Sequence, residues 1–389
     1  MYEKQLLLIP GPTMVPPRVL RAMAVPPVGH RSQKFSQVVR EVSQNLKKVF
    51  QTERDVYILT ASGTGAMEAA VTNFINPGDK VLVLVNGKFG DRFAKINARI
   101  GAEVIRKDFE LGKSADPELV KEILTEDKGQ EIKAVFVQQN ETATGILNNI
   151  KAIKEAMGNH PALLIVDSIS GMAVADFPVD EWGADVVIAG SQKAFMLPPG
   201  LAFITLSEKA WKVNETCKNY NYYFDLKAAK KNLAQDTTPY TPATSLILGL
   251  QESLNILLEE GLENIYKKQQ MFKEIVREAV QALGLELVVK DEKAASPAIT
   301  AVKVPEGLVW KDLNKLMLTN FNVEIAGGQD ELKGKIFRIG HIGYVQDMDL
   351  LTAIAALEMA LFQLGFVKDL GRGVRVCQEV ILRYKGETK

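Results

Sequence analysis

The strongest constraint on this chain is an alternation that runs from Val56 to Ser207: short, continuous apolar runs separated by stretches with helical spacing. VYIL at 56–59, VLVLV at 81–85, EVIRKDF at 103–109, AVFVQQN at 134–140, ALLIVDS at 162–168, DVVIAGSQK at 185–193 and LAFITLS at 201–207 read as strands. A strand with one wet face alternates apolar and polar residues, whereas a continuous apolar run suits a sheet covered on both faces. Between the runs, spacing predicts helices opening at the Gly turn of 63–65, over Arg92–Ile100, from Pro117 to about Leu124, and over Ile150–Met157. This alternation predicts an α/β fold whose mainly parallel sheet is flanked by helices. Ligands of such sheets bind beyond the carboxyl ends of the strands, where Ser62, Asn140, Asp167 and Lys193 fall.

A chain of 389 residues is long for one core and suits two units. The opening is rich in Pro and Gly and reads as an arm laid over a surface; a helix follows from Phe35. Residues 208–245 are mixed polar and aromatic and read as a functional loop. Long helices at Ser245–Glu260 and about Lys267–Leu283 then hand the chain to a smaller α+β unit containing LELVVK, ITAVKV, VEIAGG, KIFRIGHIG and helices over Trp310–Leu318 and Leu350–Leu364. The expected division is an arm over 1–20, a large domain over 21–265 and a small C-terminal domain over 266–389.

Charge narrows the partners. Lys plus Arg and Asp plus Glu both count 47, so no global field favours nucleic acid or an anionic membrane. No apolar run is long enough to span a bilayer, and Leu6–Ile9 before Pro10 is too short for a signal-peptide core. Cys217 and Cys377 fit no ligand spacing and read as reduced thiols, which places the protein in the cytoplasm. His30, His160 and His341 are dispersed, so no metal site is expected. Gly63-Thr64-Gly65 follows a strand, but Glu68 stands where a dinucleotide fingerprint needs its third glycine.

Lys193 is the residue with the sharpest chemistry. A buried strand delivers it into a Gly/Ser turn before Pro198-Pro199-Gly200, where desolvation disfavours the ammonium form and frees a nucleophilic amine. Asp167 ends a strand one crossover earlier; it suits a helix cap, or a carboxylate that keeps a cofactor ring nitrogen protonated. Gly63 opens a helix after a strand, an arrangement whose unpaired N–H groups attract anions.

In this order, IPGPT, ASGTGAMEAA, NGKFG, NETATG, IVDS, GSQKAF, PPG and FRIGHIG resemble the class V, fold-type I pyridoxal phosphate aminotransferases, and most of all their alanine–glyoxylate and serine–pyruvate group. The resemblance implies that Lys193 bonds the cofactor aldehyde and that Asp167 partners its ring nitrogen. It implies a phosphate turn of Ser62, Gly63 and Thr64 aided by Gln192, a ring-stacking Phe89, and a Thr142 hydroxyl near the ring oxygen. Tyr240 and Thr241 match a segment that reaches the neighbouring subunit's phosphate, so a homodimer is expected. Arg338 matches the arginine that binds the substrate carboxylate, a task its planar fork suits. The implied reaction moves an amino group from alanine or serine to glyoxylate or pyruvate. A lyase or desulfurase of the same fold, which would need a positioned thiolate, and an accessory subunit that has lost turnover are the competing readings.

Overall fold

The computed structural model describes residues 5–386. Its main sheet is built from β1 (Val56–Leu59), β2 (Lys80–Val85), β3 (Glu103–Asp108), β4 (Ile132–Gln138), β5 (Leu163–Asp167), β6 (Val186–Gly190) and β7 (Ala202–Leu206). The spatial order is β1-β7-β6-β5-β4-β2-β3. Strands β2 to β6 pair in parallel, and β7 runs antiparallel to both of its neighbours. Both faces are covered, as the apolar runs require. In β2, Val81, Val83 and Val85 pack into one core with helices Gly63–Thr72 and Lys88–Arg99, while Leu82 and Leu84 pack into another with Gln33–Phe50. Successive strand residues point to opposite faces, so a double-sided core forbids the usual alternation.

A second sheet, β8 (Ile299–Lys303), β9 (Ala326–Gly327) and β10 (Ile336–Gly340), is antiparallel in the order β8-β10-β9. Helices Leu262–Ala282, Asp347–Gln363 and Arg372–Gly386 bury Phe272, Val276, Leu350, Leu357 and Val380 around it. Of the segments expected to carry chain ends, residues 1–4 and 387–389 lie outside the described residues.

Three local features differ from the sequence reading. The opening segment does not merely lie over a surface: Leu6–Leu7 pairs with Val323–Glu324, and the Leu8 carbonyl accepts from Gly340 N at 2.7 Å. Leu8 is fully buried there. The 208–245 stretch is not all loop, because Ser207 and Asp225 cap helices Glu208–Thr216 and Leu226–Leu233 with side-chain oxygens. The helix expected from Arg92 begins at Lys88, before the sequence periodicity shows it, because a carboxylate from a distant loop receives its first N–H groups. Among the described residues no helix is long and apolar enough to cross a membrane.

Candidate active site

Strand β6 ends at Gly190, and the chain turns at once. Ser191 fixes that turn: its Oγ accepts from Leu201 N at 3.2 Å and donates to the Pro198 carbonyl at 2.8 Å. Ser253 Oγ anchors the far side through the Phe195 carbonyl. Lys193 therefore enters the carboxyl edge of the sheet on a rigid loop, only 8% exposed. Its Nζ donates to the Pro10 carbonyl at 2.7 Å. Thr13 holds the same turn, donating from N to the Gln192 carbonyl at 3.1 Å and from Oγ1 to the Lys193 carbonyl at 3.0 Å. The Pro- and Gly-rich opening segment is thus part of the site.

Burial, reinforced by the Arg338 charge, pushes the Lys193 amine down to about 8, while Asp167 opposes the shift. A neutral amine is accordingly accessible near physiological pH. Asp167, at the end of the adjacent strand β5, is pushed up to about 7, chiefly by burial, with Glu141 adding to the rise and Lys193 and Arg92 opposing it. One of its oxygens accepts from Ile169 N at 2.8 Å.

Glu141 is a buried carboxyl at the site that the sequence reading passed over. It is fully buried, with Oε2 accepting from Phe89 N at 2.9 Å and Gly90 N at 3.0 Å and Oε1 accepting from Ala143 N at 2.9 Å. Burial pushes its carboxyl up; the three N–H donors and the Arg338 charge hold it down. The arrangement sets the start of the Lys88–Arg99 helix and so the place of Phe89. Gly87 permits the approach, since a Cβ there would stand 2.8 Å from the Glu141 carboxyl carbon. A carboxylate inside NETATG, with NGKFG upstream, was the available signal.

Arg338 comes from β10 in the second sheet and is 5% exposed. Nε and Nη2 donate to the Gly327 carbonyl at 3.1 and 2.8 Å, and Nη1 donates to the Thr142 carbonyl at 3.1 Å. Backbone carbonyls therefore hold the guanidinium in place while leaving N–H groups on both Nη atoms for a ligand. Burial pushes its pKa down to about 10, so it stays cationic. The Thr142 hydroxyl shares a hydrogen bond of 2.7 Å with Ser170 Oγ.

Ser62 occupies the N-cap position of the Gly63–Thr72 helix without a side-chain capping bond, and its carbonyl accepts from Gly65 and Ala66 N. Among the described residues the Gly63 and Thr64 N–H groups have no partner in the chain, which leaves them for an anion. Arg92 Nη1 donates to Thr64 Oγ1 at 2.9 Å, and its guanidinium carbon lies 4.8 Å from the centroid of the half-buried Phe89 ring. Gln192, next to Lys193, keeps a buried Oε1 without a partner among the described residues. Among the described residues Tyr240 and Thr241 make no hydrogen bond to Ser62, Gly63, Thr64, Gln192 or Lys193. The Tyr240 hydroxyl donates to the Tyr222 carbonyl at 2.8 Å, and Thr241 Oγ1 meets His30 Nε2 at 3.5 Å.

Among the described residues no group of three or more His, Cys, Asp and Glu side chains is arranged to hold a metal ion. Neither thiol belongs to the site. Cys217 lies against the Thr72 and Ile75 carbonyls, and Cys377 sits in the core of the second sheet with its thiol pushed up to about 12 by burial.

Residues 6–335 match the class V aminotransferase family. The chain is 44% identical over 382 residues to a soluble hydrogenase 42 kDa subunit from Anabaena cylindrica, covering 98% of this chain and 99% of that protein. It is 41% identical over 376 residues to a serine–glyoxylate aminotransferase from Methylorubrum extorquens, covering 95% and 94%. Among solved structures, ureidoglycine–glyoxylate aminotransferase from Bacillus subtilis superposes with a TM-score of 0.93 at 31% identity, covering 98% of this chain and 99% of that one.

Proposed function

The chain belongs to the class V aminotransferases, and from that premise we propose that it moves an amino group from alanine or serine to glyoxylate or pyruvate. The observation that carries this reading is Lys193, a buried lysine with its amine held at about 8, facing the buried carboxylate of Asp167 on the neighbouring strand. Glyoxylate as acceptor is supported by the names of the serine–glyoxylate relative and of the ureidoglycine–glyoxylate structure.

Pyridoxal phosphate is the cofactor of this family, and the donor set fits it. The unpaired Gly63 and Thr64 N–H groups suit a phosphate, and an acid–amine pair stands at the carboxyl edge of the sheet. When bound, the cofactor supplies an electron sink for the bond broken at the substrate Cα.

The chain supplies the rest. Lys193 Nζ would hold the cofactor through its aldehyde carbon and, once freed by the incoming amino group, would carry the proton removed from the substrate Cα. That is general acid–base work, which is most efficient when the amine titrates near the working pH. Asp167 would hold the proton on the ring nitrogen; a cation there would relieve the cost of keeping its carboxylate buried and ionised. Ser62, Gly63, Thr64 and, through its side-chain N–H groups, Gln192 would bind the phosphate, Phe89 would stack on the ring, and the Thr142 hydroxyl would meet the ring oxygen. Arg338 binds the substrate carboxylate with the N–H groups its backbone partners leave free.

The assembly we propose is a homodimer in the cytoplasm, built on the large domain at 21–265, the small domain at 266–389 and the arm at 1–20. Tyr222 and Tyr223, 68% and 48% exposed, stack on Tyr240 and present an aromatic face through which Tyr240 and Thr241 would reach a partner's phosphate site. A desulfurase would require a thiolate, and burial pushes both thiols up. An accessory protein without turnover would not need Lys193, Asp167 and Arg338 together.

Borohydride reduction of the cofactor-loaded protein should fix the pyridoxyl group on Lys193, as read by peptide mapping. A label on another lysine, or a colourless protein that takes up no cofactor, defeats the assignment. Half-reaction spectra with a panel of amino donors and 2-oxo acids should then rank alanine or serine and glyoxylate or pyruvate first.

A further inference from the structure

Arg92 lies on the Lys88–Arg99 helix and is half-buried. Its partners among the described residues are the Thr64 hydroxyl and the face of Phe89; it makes no ion pair there. A half-buried guanidinium whose hydrogen-bond partner is one hydroxyl still has N–H groups to offer an anion. The wider site has the same imbalance. Lys193, Arg338 and Arg92 are its cations, facing the carboxyls of Asp167 and Glu141, and both carboxyls are pushed toward their neutral forms by burial. The site is therefore built to receive more than one negative group.

Geometry sorts the two arginines. Arg338 comes from the second sheet and is held beside Thr142, whereas Arg92 reaches into the Ser62–Thr64 turn, where the Gly63 and Thr64 N–H groups are unpaired. We propose that Arg92 is the cationic ligand of the cofactor phosphate, gripping it from the neighbouring helix with a guanidinium steadied by the Phe89 ring. The proposal rests on the cofactor reading above. A monoester phosphate is the chemistry it recognises, whether on the cofactor or free in solution. A guanidinium fork can take two phosphate oxygens at once, and charge-assisted hydrogen bonds of that kind are the strong ones.

The test measures binding to the full-length protein stripped of cofactor, without turnover. Pyridoxal phosphate and pyridoxal, which lacks the phosphate, are titrated into the parent protein, Arg92→Gln and Arg92→Lys, and each dissociation constant is read from the change in absorbance. Arg92→Gln should weaken pyridoxal phosphate by about ten- to a hundredfold and leave pyridoxal within about twofold. Arg92→Lys, which keeps the charge but loses the fork, should fall between. Inorganic phosphate should compete with pyridoxal phosphate in the parent protein and much less in Arg92→Gln.

Equal weakening of both ligands would assign Arg92 to ring stacking and overturn the proposal. So would unchanged binding of both. Retained pyridoxal binding shows that a variant is folded. If the parent protein takes up neither ligand, the cofactor reading itself fails; if it takes up both and Arg92→Gln matches it, only the Arg92 assignment fails.

Discussion

Gly11→Ala should separate the position of the Lys193 amine from the stability of the fold. Gly11 has φ +140°, and a Cβ built there would stand 2.7 Å from both Cδ and Nζ of Lys193 and 2.9 Å from Cε. Ordinary contacts begin at 3.4 Å, so the lysine end must retreat by several tenths of an ångström or more. A lysine tail can move, so the loss of stability should be little more than the backbone strain, about 1–2 kcal/mol. Nζ cannot keep both its new position and its 2.7 Å hydrogen bond to the Pro10 carbonyl. Misplacing a reacting atom by about 1 Å costs on the order of a hundredfold in rate, and kcat should fall by that amount. Gly78→Ala is the control: its φ is +85° and nothing lies within 4 Å of the added Cβ, so it imposes comparable strain without touching Lys193. Urea unfolding and steady-state kinetics on both variants, with an amino donor at saturation, decide the matter. A kcat for Gly11→Ala within about threefold of the parent, or an equal kcat loss in Gly78→Ala, would refute the reasoning.

Glu141→Gln keeps the shape but turns an NH2 group toward one of the three N–H donors from Phe89, Gly90 and Ala143. Urea unfolding should show a loss of about 1–3 kcal/mol, and an unchanged midpoint would mean that these N–H groups find other acceptors. Lys193 has its pKa lowered to about 8 from 10.5, so the neutral amine predominates above about pH 8. Folding releases a proton from it between those values, so its contribution to stability improves as pH rises from about 8 to 10.5. In cofactor-free protein, acylation at Lys193 followed by mass spectrometry should reach half its maximal rate near pH 8, well before exposed lysines respond. His341, fully buried between Thr300 Oγ1 and the Pro297 carbonyl, has its pKa lowered to about 3 from 6.5. Protonation favours the unfolded chain, so stability should fall as pH drops from 6.5 toward 3, by an amount on the order of a few kcal/mol, and His341→Gln should flatten that slope in urea titrations.

What could be read from the sequence depended on how local its cause was. The strands were legible because a sheet with two cores makes each strand apolar on both faces, and VLVLV satisfies that demand within its own length. Lys193 and Asp167 were legible as residues at strand ends, since the carboxyl edge of a parallel sheet follows from the strand order alone. Helices Glu208–Thr216 and Leu226–Leu233 were missed because neighbouring polar and aromatic residues masked short amphipathic segments whose caps, Ser207 and Asp225, decide their starts.

The contacts of the site that stayed hidden are those between residues far apart in the chain. Glu141 receives Phe89 N across 52 residues, Arg338 meets Thr142 across 196, and the Lys193 amine meets Pro10 across 183. No periodicity encodes such pairings, and each depends on a close approach made possible elsewhere, as Gly87 does for Glu141 and Gly11 for Lys193. The opening segment joins two of these contacts. Leu8 accepts from Gly340 N, two residues beyond Arg338, and a few residues later Pro10 and Thr13 hold the Lys193 turn. The residue that would grip the substrate carboxylate and the amine that would act beside it thus share one short strap. Its Pro- and Gly-rich composition, which first marks it as irregular, suits backbone that must run through a packed site without adding side chains to it.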